Sequence, residues 1–329
     1  MSTIPDLGGL QWLYAAWGIS TILLFWAALL RATREWGGQQ LQGRAFGFLD
    51  GGRGLISAVM GTATVAIFAA LLPVDLEIAT VEMRGEAFRS VILFVSGFVM
   101  VIAVMVWFGL KGKGSGVGQG GSSISIPDIR KIVRMPTVWL QAIMIICAYS
   151  GYKVTDDFSL FAQEVMGYDE VKAAGFSTLS LWIRPVATVG AGFLADRLSA
   201  SKMILVCFAL MIAGGLTVGL GGIQPGMTNM FVTVILTTSA GLFAMRGLYF
   251  AITQEGRVPL ALTGTAIGLM SVIGYTPDIF MGPLMGHLLD SSPGAPGHQH
   301  VFLMLAGFAT VGFLTAVAFR IVNRSRVSK

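Results

Sequence analysis

Eight ionisable residues lie inside apolar stretches of this chain, where a charge is costly to keep. They are Asp50, Arg53, Lys153, Asp156, Asp157, Arg184, Arg246 and Asp278. Inside a membrane, such residues usually face a bundle interior or a water-filled path, and they mark substrate or ion sites. Asp50 and Arg53 can pair along one helix, and so can Lys153 with Asp156 or Asp157. For these local pairs a structural and a functional role are equally open.

Arg184 and Arg246 have no acidic residue within one helical turn. Because a guanidinium keeps its proton, each needs a carboxylate on another helix, an anionic ligand or water. Its planar fork suits carboxylate and phosphate groups, which favours an anionic or polyhydroxylated substrate. The alternative is that either arginine pairs with Asp278 or Asp157 as a gate between helices.

Asp278 follows Pro277, so we expect its helix to be kinked or interrupted, as is common near transport sites. Apolar surroundings favour a protonated carboxyl group, which makes Asp278 or Asp157 a candidate for proton coupling. Several aromatic residues lie within one turn of the charges and could line a sugar-sized cavity. They are Tyr149, Tyr152, Trp182, Tyr249 and Tyr275.

The composition indicates a membrane protein, with 54% hydrophobic and only 12% charged residues. A soluble domain carries about a quarter charged residues. The net charge of +5 lies in connections between apolar runs, so it does not indicate nucleic-acid binding. Cys147 and Cys207 lie inside apolar runs and are expected to be packing residues. His287, His298 and His300 have no metal-ligand spacing, so we expect neither metal nor cofactor.

Nine apolar runs are long enough, or nearly so, to span a bilayer, which takes about 20 residues. They lie near 10–32, 45–72, 88–110, 136–160, 172–195, 202–222, 228–252, 263–289 and 300–322. Lipid-exposed backbone must satisfy its own hydrogen bonds, and the runs are too long for barrel strands, so we predict an all-α polytopic protein. The odd-numbered connections and the tail are basic, whereas the even ones are acidic or neutral. This alternation predicts a cytoplasmic C-terminus.

A short internal repeat suggests the domain organisation. Leu41–Gly47 resembles Leu262–Gly268 at an offset of 221 residues (262 − 41), and both segments open a span. By that offset, the counterpart of the six spans from Pro136 onward would begin before Met1. We therefore expect three spans in 1–110, a Gly/Ser-rich linker with a short interfacial helix in 111–135, and six spans in 136–329, the first three helices of a twelve-helix fold being absent. The alternative is a complete nine-span protein.

The stretch Val189–Lys202 resembles the Asp-Arg loop of the major facilitator superfamily, whose pattern is Gly-x-x-x-Asp-Arg-x-Gly-Arg-Arg/Lys. Gly192, Asp196, Arg197 and Lys202 match or lie near it, while Ser199 and Ala200 depart from it. The segment Gly282–Gly286 also looks like the family's eleventh helix. The stretches Gln42–Gly47 and Gly51–Gly54 resemble a bacterial branch of sugar-phosphate and organic-anion porters.

This resemblance implies two six-helix halves that move a small solute by alternating access, as symporter or antiporter, without enzymatic chemistry. It implies a sugar or organic anion as substrate, a bacterial inner-membrane location in contact with lipid, a monomer, and a possible coupling proton or ion. The alternatives are a transporter-like solute sensor and a truncated, transport-inactive fragment. The Asp-Arg loop is expected to hold one access state, with Asp196 near a neighbouring helix end.

The candidate residues fall into two groups. Those expected to bind substrate are Arg53, Tyr149, Tyr152, Lys153, Arg184, Arg246 and Tyr275. Those expected to act in coupling or gating are Asp156, Asp157, Asp278, Asp196 and Arg197.

Overall fold

The computed structural model describes residues 6–20, 29, 42–73, 80–109, 126–249, 252–259 and 262–325, and their regular elements are all helices. The first are α1 (Leu7–Gly18), α2 (Gln42–Leu71), α3 (Val81–Gly109), α4 (Ile126–Val133), α5 (Pro136–Val154), α6 (Asp157–Glu164) and α7 (Glu170–Leu198). The others are α8 (Ala200–Gly219), α9 (Thr228–Leu248), α10 (Ile252–Glu255), α11 (Thr263–Gly274), α12 (Pro277–Ser291) and α13 (Ala295–Ser325). The predicted all-helical class is confirmed.

Six helices in these ranges are long and apolar enough to cross a membrane, namely α2, α3, α7, α8, α9 and α13. Two further predicted runs, 136–160 and 263–289, each fold as a broken pair of helices, α5 with α6 and α11 with α12. The remaining run, 10–32, contains α1, and most of its second half lies outside the described residues. The predicted linker, 112–123, also lies outside them, while α4 is the short helix expected after it.

The two helix breaks share a local backbone pattern. Asp156 N–H donates to the Lys153 carbonyl at 3.2 Å, and Asp278 N–H donates to the Tyr275 carbonyl at 3.1 Å, so a tight turn replaces the α-helical bond. Pro277 explains the second break, because proline cannot continue the bond pattern of a preceding helix. The first break contains no proline and is not expected from the sequence. Asp157 lies in the first turn of α6, where a negative charge is favourable.

The described helices form two compact units. One contains α1, α3 and the two ends of α2, residues 42–46 and 59–71, and the other contains Gly47–Ala58 of α2 together with α4 to α13. In the second unit, α13 packs against α5 and α8, while α9 packs against α7 and α8. All the candidate charges and tyrosines belong to this second unit.

A cluster of phenylalanine side chains fixes α6 within the second unit. Phe158 and Phe161 of α6 are buried against Phe231 of α9 and Phe302 of α13. The Phe161 and Phe231 ring centroids lie 5.1 Å apart, and those of Phe158 and Phe302 lie 5.8 Å apart. Such aromatic pairs contribute about 0.5–1.5 kcal/mol each beyond the area they bury. Side-chain packing therefore holds α6, the second helix of the broken α5–α6 pair.

The Asp-Arg loop turns between α7 and α8 at Ser199, which has φ 112° and ψ 140°. Glu255 then accepts hydrogen bonds from the first backbone amides of α8, Ala200 N–H at 2.7 Å and Ser201 N–H at 3.3 Å. Arg197 is exposed. The side chain of Asp196 lies outside the described part of the structure, so its place near a helix end stays a prediction. The carboxylate observed at this helix start is that of Glu255.

We predict that Ser199→Gly stabilises the protein. A φ of 112° is strained for a residue with a Cβ and normal for glycine, the residue that the family pattern has here. Relief of this strain is expected to contribute about 1 kcal/mol, seen as a rise of a few degrees in the thermal unfolding midpoint in detergent. Ala200→Gly, one residue further and inside α8, is the control and should lower the midpoint. An equal effect of the two substitutions would contradict this explanation.

Candidate functional site

The two helix breaks bring side chains from three parts of the second unit together. The last turns of α5 carry Tyr149, Tyr152 and Lys153, whose spacing of three or four residues places them on one face. Arg246 lies near the end of α9, and Asp278 lies in the first turn of α12. Contacts among these residues define a group that we call the tyrosine–arginine cluster, completed by Tyr249 and Tyr275.

Lys153 and Asp278 form an ion pair across the two broken helices. The Lys153 Nζ lies 2.6 Å from Asp278 Oδ1, and the Tyr149 hydroxyl donates to Asp278 Oδ2 at 3.1 Å. The local pairing of Lys153 with Asp156 or Asp157 is not formed, because α5 ends at Val154 and the break interrupts the helical spacing that such a pair needs. The side chains of Lys153 and Asp278 are 28% and 42% exposed, so solvent screens their attraction.

Arg246 differs in its contacts from Lys153, the other cation of the cluster. Its guanidinium lies 4.5 Å from the Tyr152 ring centroid and 5.7 Å from that of Tyr149, a cation–π arrangement. Its Nε and Nη1 are buried and have no hydrogen-bond partner among the described residues. Buried donors are normally satisfied. The arrangement therefore holds the guanidinium by its face and leaves these two buried donors without an acceptor among the described residues.

Tyrosine side chains form one wall around these charges. The Tyr249 and Tyr275 hydroxyls are 3.1 Å apart, and the Tyr149 and Tyr275 ring centroids are 4.9 Å apart in an edge-on contact. Tyr152 also meets Phe243 edge-on at 6.4 Å. A tyrosine offers an apolar ring and a polar hydroxyl. This wall can therefore contact the apolar faces of a small organic molecule as well as its hydroxyl groups.

Arg184 pairs with a carboxylate of α2. Its Nη2 lies 2.7 Å from Asp50 Oδ1, whereas the Arg53 Nη1 lies 3.8 Å from the same oxygen. Gly54 lies against the Arg184 stem, since a Cβ there would be 2.7 Å from Arg184 Cγ. Pairing of Arg184 with Asp278 or Asp157 is thus not observed, because Asp50 meets it directly across the α2–α7 contact. Asp50 is also within electrostatic range of Arg246.

Asp157 lies in a separate group with a histidine that sequence reasoning left without a role. His298 Nδ1 lies 2.9 Å from Asp157 Oδ2, and its Nε2 lies 3.2 Å from Glu164 Oε2. Asp156, by contrast, is exposed and caps no helix through its side chain. The only sequence signal for His298 was its place beside a long apolar run, which does not identify a partner.

The fold is similar to that of a solved transporter. The crystal structure of the Escherichia coli fucose:proton symporter FucP matches 87% of this chain and 70% of that chain, with a TM-score of 0.54 and 17% sequence identity. No model of a known protein family matches the chain.

Curated proteins that are similar in sequence include two from Escherichia coli and one from Staphylococcus haemolyticus. The Escherichia coli inner membrane protein YqcE is 25% identical over 100% of this chain and 76% of its own length, and YihN, also an inner membrane protein of that organism, is 24% identical over 96% and 75%. A probable nitrate transporter of Staphylococcus haemolyticus, NarT, is 25% identical over 44% of this chain and 34% of its length. The names of FucP and NarT describe transport, the general activity that the sequence predicts.

We predict a strong coupling between Asp50 and Arg184 in a double-mutant cycle. Asp50→Asn or Arg184→Gln alone should cost about 3 kcal/mol of unfolding free energy, because each leaves a buried charge without its partner. The double variant should cost less than the sum of the two. Arg53→Gln, which removes the more exposed arginine from the same carboxylate, is the control and should cost under about 1 kcal/mol. Additive single effects in detergent unfolding would contradict a direct pair.

Proposed function

We propose that the chain is a transporter of the major facilitator superfamily, and that it moves a small organic anion across the membrane by secondary active transport. The observation that carries this proposal is the guanidinium of Arg246, whose buried Nε and Nη1 have no hydrogen-bond partner among the described residues. The names of the relatives do not decide the charge of the substrate, since one names fucose and another nitrate. Arg246 favours an anion.

Arg246 suits a carboxylate or phosphate group for two reasons. Its fork can donate two parallel hydrogen bonds to such a group, which a neutral hydroxyl cannot accept in the same way. Its contact with Tyr152 at 4.5 Å holds the guanidinium plane, so little side-chain freedom is lost on binding. The tyrosine wall would then contact the body of the substrate, for which a polyhydroxylated molecule such as a sugar acid or sugar phosphate is the best fit.

Lys153 provides a second positive charge that a carboxylate of the protein already occupies. Asp278 holds the Lys153 ammonium and the Tyr149 hydroxyl, so it takes the position that a second acidic oxygen of a substrate would need. We propose that a bound anion displaces Asp278, which then takes up a proton. This exchange would couple one proton to each transported anion. Arg184, paired with Asp50 beside Arg53, supports the site from α2 and α7.

The proposal extends to orientation and assembly of the protein. From the basic connections on alternate sides we propose that the C-terminus and the Asp-Arg loop lie in the cytoplasm, and that Asp196 and Arg197 act in gating. We propose a monomer in the bacterial inner membrane. An impermeant thiol reagent tests this orientation on intact cells, since Cys147 and Cys207 are buried and introduced cysteines would give the signal.

We predict that Arg246→Gln weakens anion binding by about 10- to 100-fold, the loss expected for hydrogen bonds to a charged group. Arg246→Lys keeps the charge without the fork and should fall between Arg246→Gln and the unaltered protein. Binding is measured on the purified protein by calorimetry, with panels of sugar acids, sugar phosphates, inorganic nitrate and neutral sugars. Arg130→Gln, an exposed arginine of α4, is the control. The proposal fails if neutral sugars alone bind, or if Arg246→Gln binds anions normally.

We predict that Asp278→Asn tightens anion binding several-fold and abolishes pH-dependent accumulation in proteoliposomes. The asparagine cannot neutralise Lys153 and cannot take up the proposed proton. Asp290→Asn, an exposed aspartate at the other end of α12, is the matched control and should behave like the unaltered protein. Unchanged pH dependence in Asp278→Asn would remove the coupling role from this residue.

A further inference from the structure

His298 is the buried member of the three histidines of this chain. Its side chain has 0% exposure, whereas His287 and His300 are exposed. It lies near the start of α13 and meets two carboxylates of α6, Asp157 through Nδ1 at 2.9 Å and Glu164 through Nε2 at 3.2 Å. The Phe161 ring packs edge-on against the imidazole, with centroids 5.5 Å apart. We call Asp157, Glu164 and His298 the histidine triad.

The geometry of the histidine triad sets its protonation. A neutral imidazole has one N–H, and an imidazolium has two. Both ring nitrogens face carboxyl oxygens, so with both carboxyl groups ionised the two contacts are hydrogen bonds only when the ring carries two protons. The Asp157 side chain is 1% exposed, and a buried carboxylate without a positive partner is costly. The geometry and the charge of Asp157 therefore favour a second proton on His298.

The other ionisable residues of the helices packed against α13 form no polar contact with His298 in the described part of the chain. The elements packed against α13 are α5, α6, α8 and α12. Apart from Asp157 and Glu164, the Asp, Glu, Lys, Arg and His residues of these four helices and of the α5–α6 break are Lys153, Asp156, Lys202, Asp278, His287 and Asp290. In the described part of the chain none of these six forms a hydrogen bond or ion pair with His298. Lys153 and Asp278 bind each other instead.

We propose that the histidine triad is a proton-binding site that controls the attachment of α6 to α13. On proton loss, the N–H bond at Nε2 breaks and its proton passes by way of Glu164, which is 47% exposed, to water. The neutral ring keeps its Nδ1–H for the buried Asp157 and can no longer donate to Glu164. The C-terminal end of α6 then loses the hydrogen bond between Glu164 and His298 of α13, while the phenylalanine contacts near Asp157 remain.

The triad is connected to the tyrosine–arginine cluster by one short segment. The segment Val154–Asp157 forms the break between α5 and α6. Lys153 immediately precedes this segment, and Asp157 is its last residue. Movement of α6 on proton release therefore acts on the helix end that holds Lys153 against Asp278. This connection rests on the proposed transport function, since it makes the triad a second proton site of the same transport cycle. Protonation of the triad itself is independent of any substrate.

The first test is nitrogen NMR of the protein labelled with ¹⁵N-histidine in lipid nanodiscs. Three histidines give three assignable sets of signals, identified with His287→Gln, His298→Gln and His300→Gln. We expect both ring nitrogens of His298 to carry hydrogen at neutral pH, and one to lose it as the pH rises. Glu164→Gln should move this change down by about one pH unit, because a negative charge beside the imidazolium is lost. A His298 ring that is neutral throughout overturns the proposal.

The second test measures the consequence for α6 by hydrogen exchange across the same pH range. After correction for intrinsic rates, exchange in 157–164 should increase when His298 loses its proton, and His298→Gln should remove this step. If His298→Gln does not fold, Glu164→Gln provides the test, since its step should follow the shifted NMR change. Exchange that does not follow the titration overturns control of α6. His300→Gln, exposed and two residues away, is the control and should keep the step.

Uptake in proteoliposomes separates this inference from the proposed function. If the triad acts in transport, His298→Gln flattens the pH dependence of the maximal rate while anion affinity stays within about twofold, since Arg246 is untouched. If the triad titrates and α6 responds, but no anion binds to the protein, the proton site is supported and the proposal of anion transport is refuted. An unaltered pH profile in His298→Gln, with anion transport intact, would refute the coupling of the triad to transport.

Discussion

A charge inside an apolar helix bundle needs a counter-charge, because neither lipid nor packed side chains replace its hydration. This constraint explains most of the polar architecture of the second unit. Arg184 meets Asp50 at 2.7 Å, Lys153 meets Asp278 at 2.6 Å, and His298 meets Asp157 at 2.9 Å. Each pair joins different helices, so charge neutralisation also determines which helices are held together. Arg246 forms no such pair among the described residues, and its proposed role in anion binding rests on that difference.

The two helix breaks make these pairings possible. A continuous helix through 136–164 would keep Lys153 and Asp157 on one face, where they would neutralise each other. The break turns them to different partners, Asp278 for Lys153 and His298 for Asp157. The freed backbone groups form tight turns, so the interruption leaves few polar groups unsatisfied. One broken segment thus serves both the tyrosine–arginine cluster and the histidine triad.

The aromatic side chains have different roles in the tyrosine–arginine cluster and around the histidine triad. Around Arg246 the tyrosines present ring faces and hydroxyls, and they hold a cation without neutralising it. Around His298 the phenylalanines form apolar surroundings, which would strengthen the attraction between the proposed imidazolium and Asp157. The same α6 helix carries Phe158 and Phe161 on the packed side and Glu164 near solvent. Burial therefore decreases along α6 from the site toward the exposed end.

The amino-acid sequence determined the features that depend on local chemistry. Composition and run length predicted a helical membrane protein, Pro277 predicted the break before Asp278, and Val189–Lys202 carried the family resemblance. The residues of the tyrosine–arginine cluster were also identifiable, since charges and tyrosines in apolar runs stand out from packing residues. The break at Val154–Asp157 was not, because no proline marks it.

Only the tertiary structure decided which charge meets which. Asp50 and Arg184 are 134 residues apart in the chain, and Asp157 and His298 are 141 apart, so no helical period relates them. The sequence suggested local partners for Lys153 and an acidic partner for Arg184 on α6 or α12, and packing selected others. The role of His298 follows from its two neighbours alone. Which residue supplies the counter-charge depends on how the helices pack in three dimensions. The sequence shows only that each buried charge needs a partner.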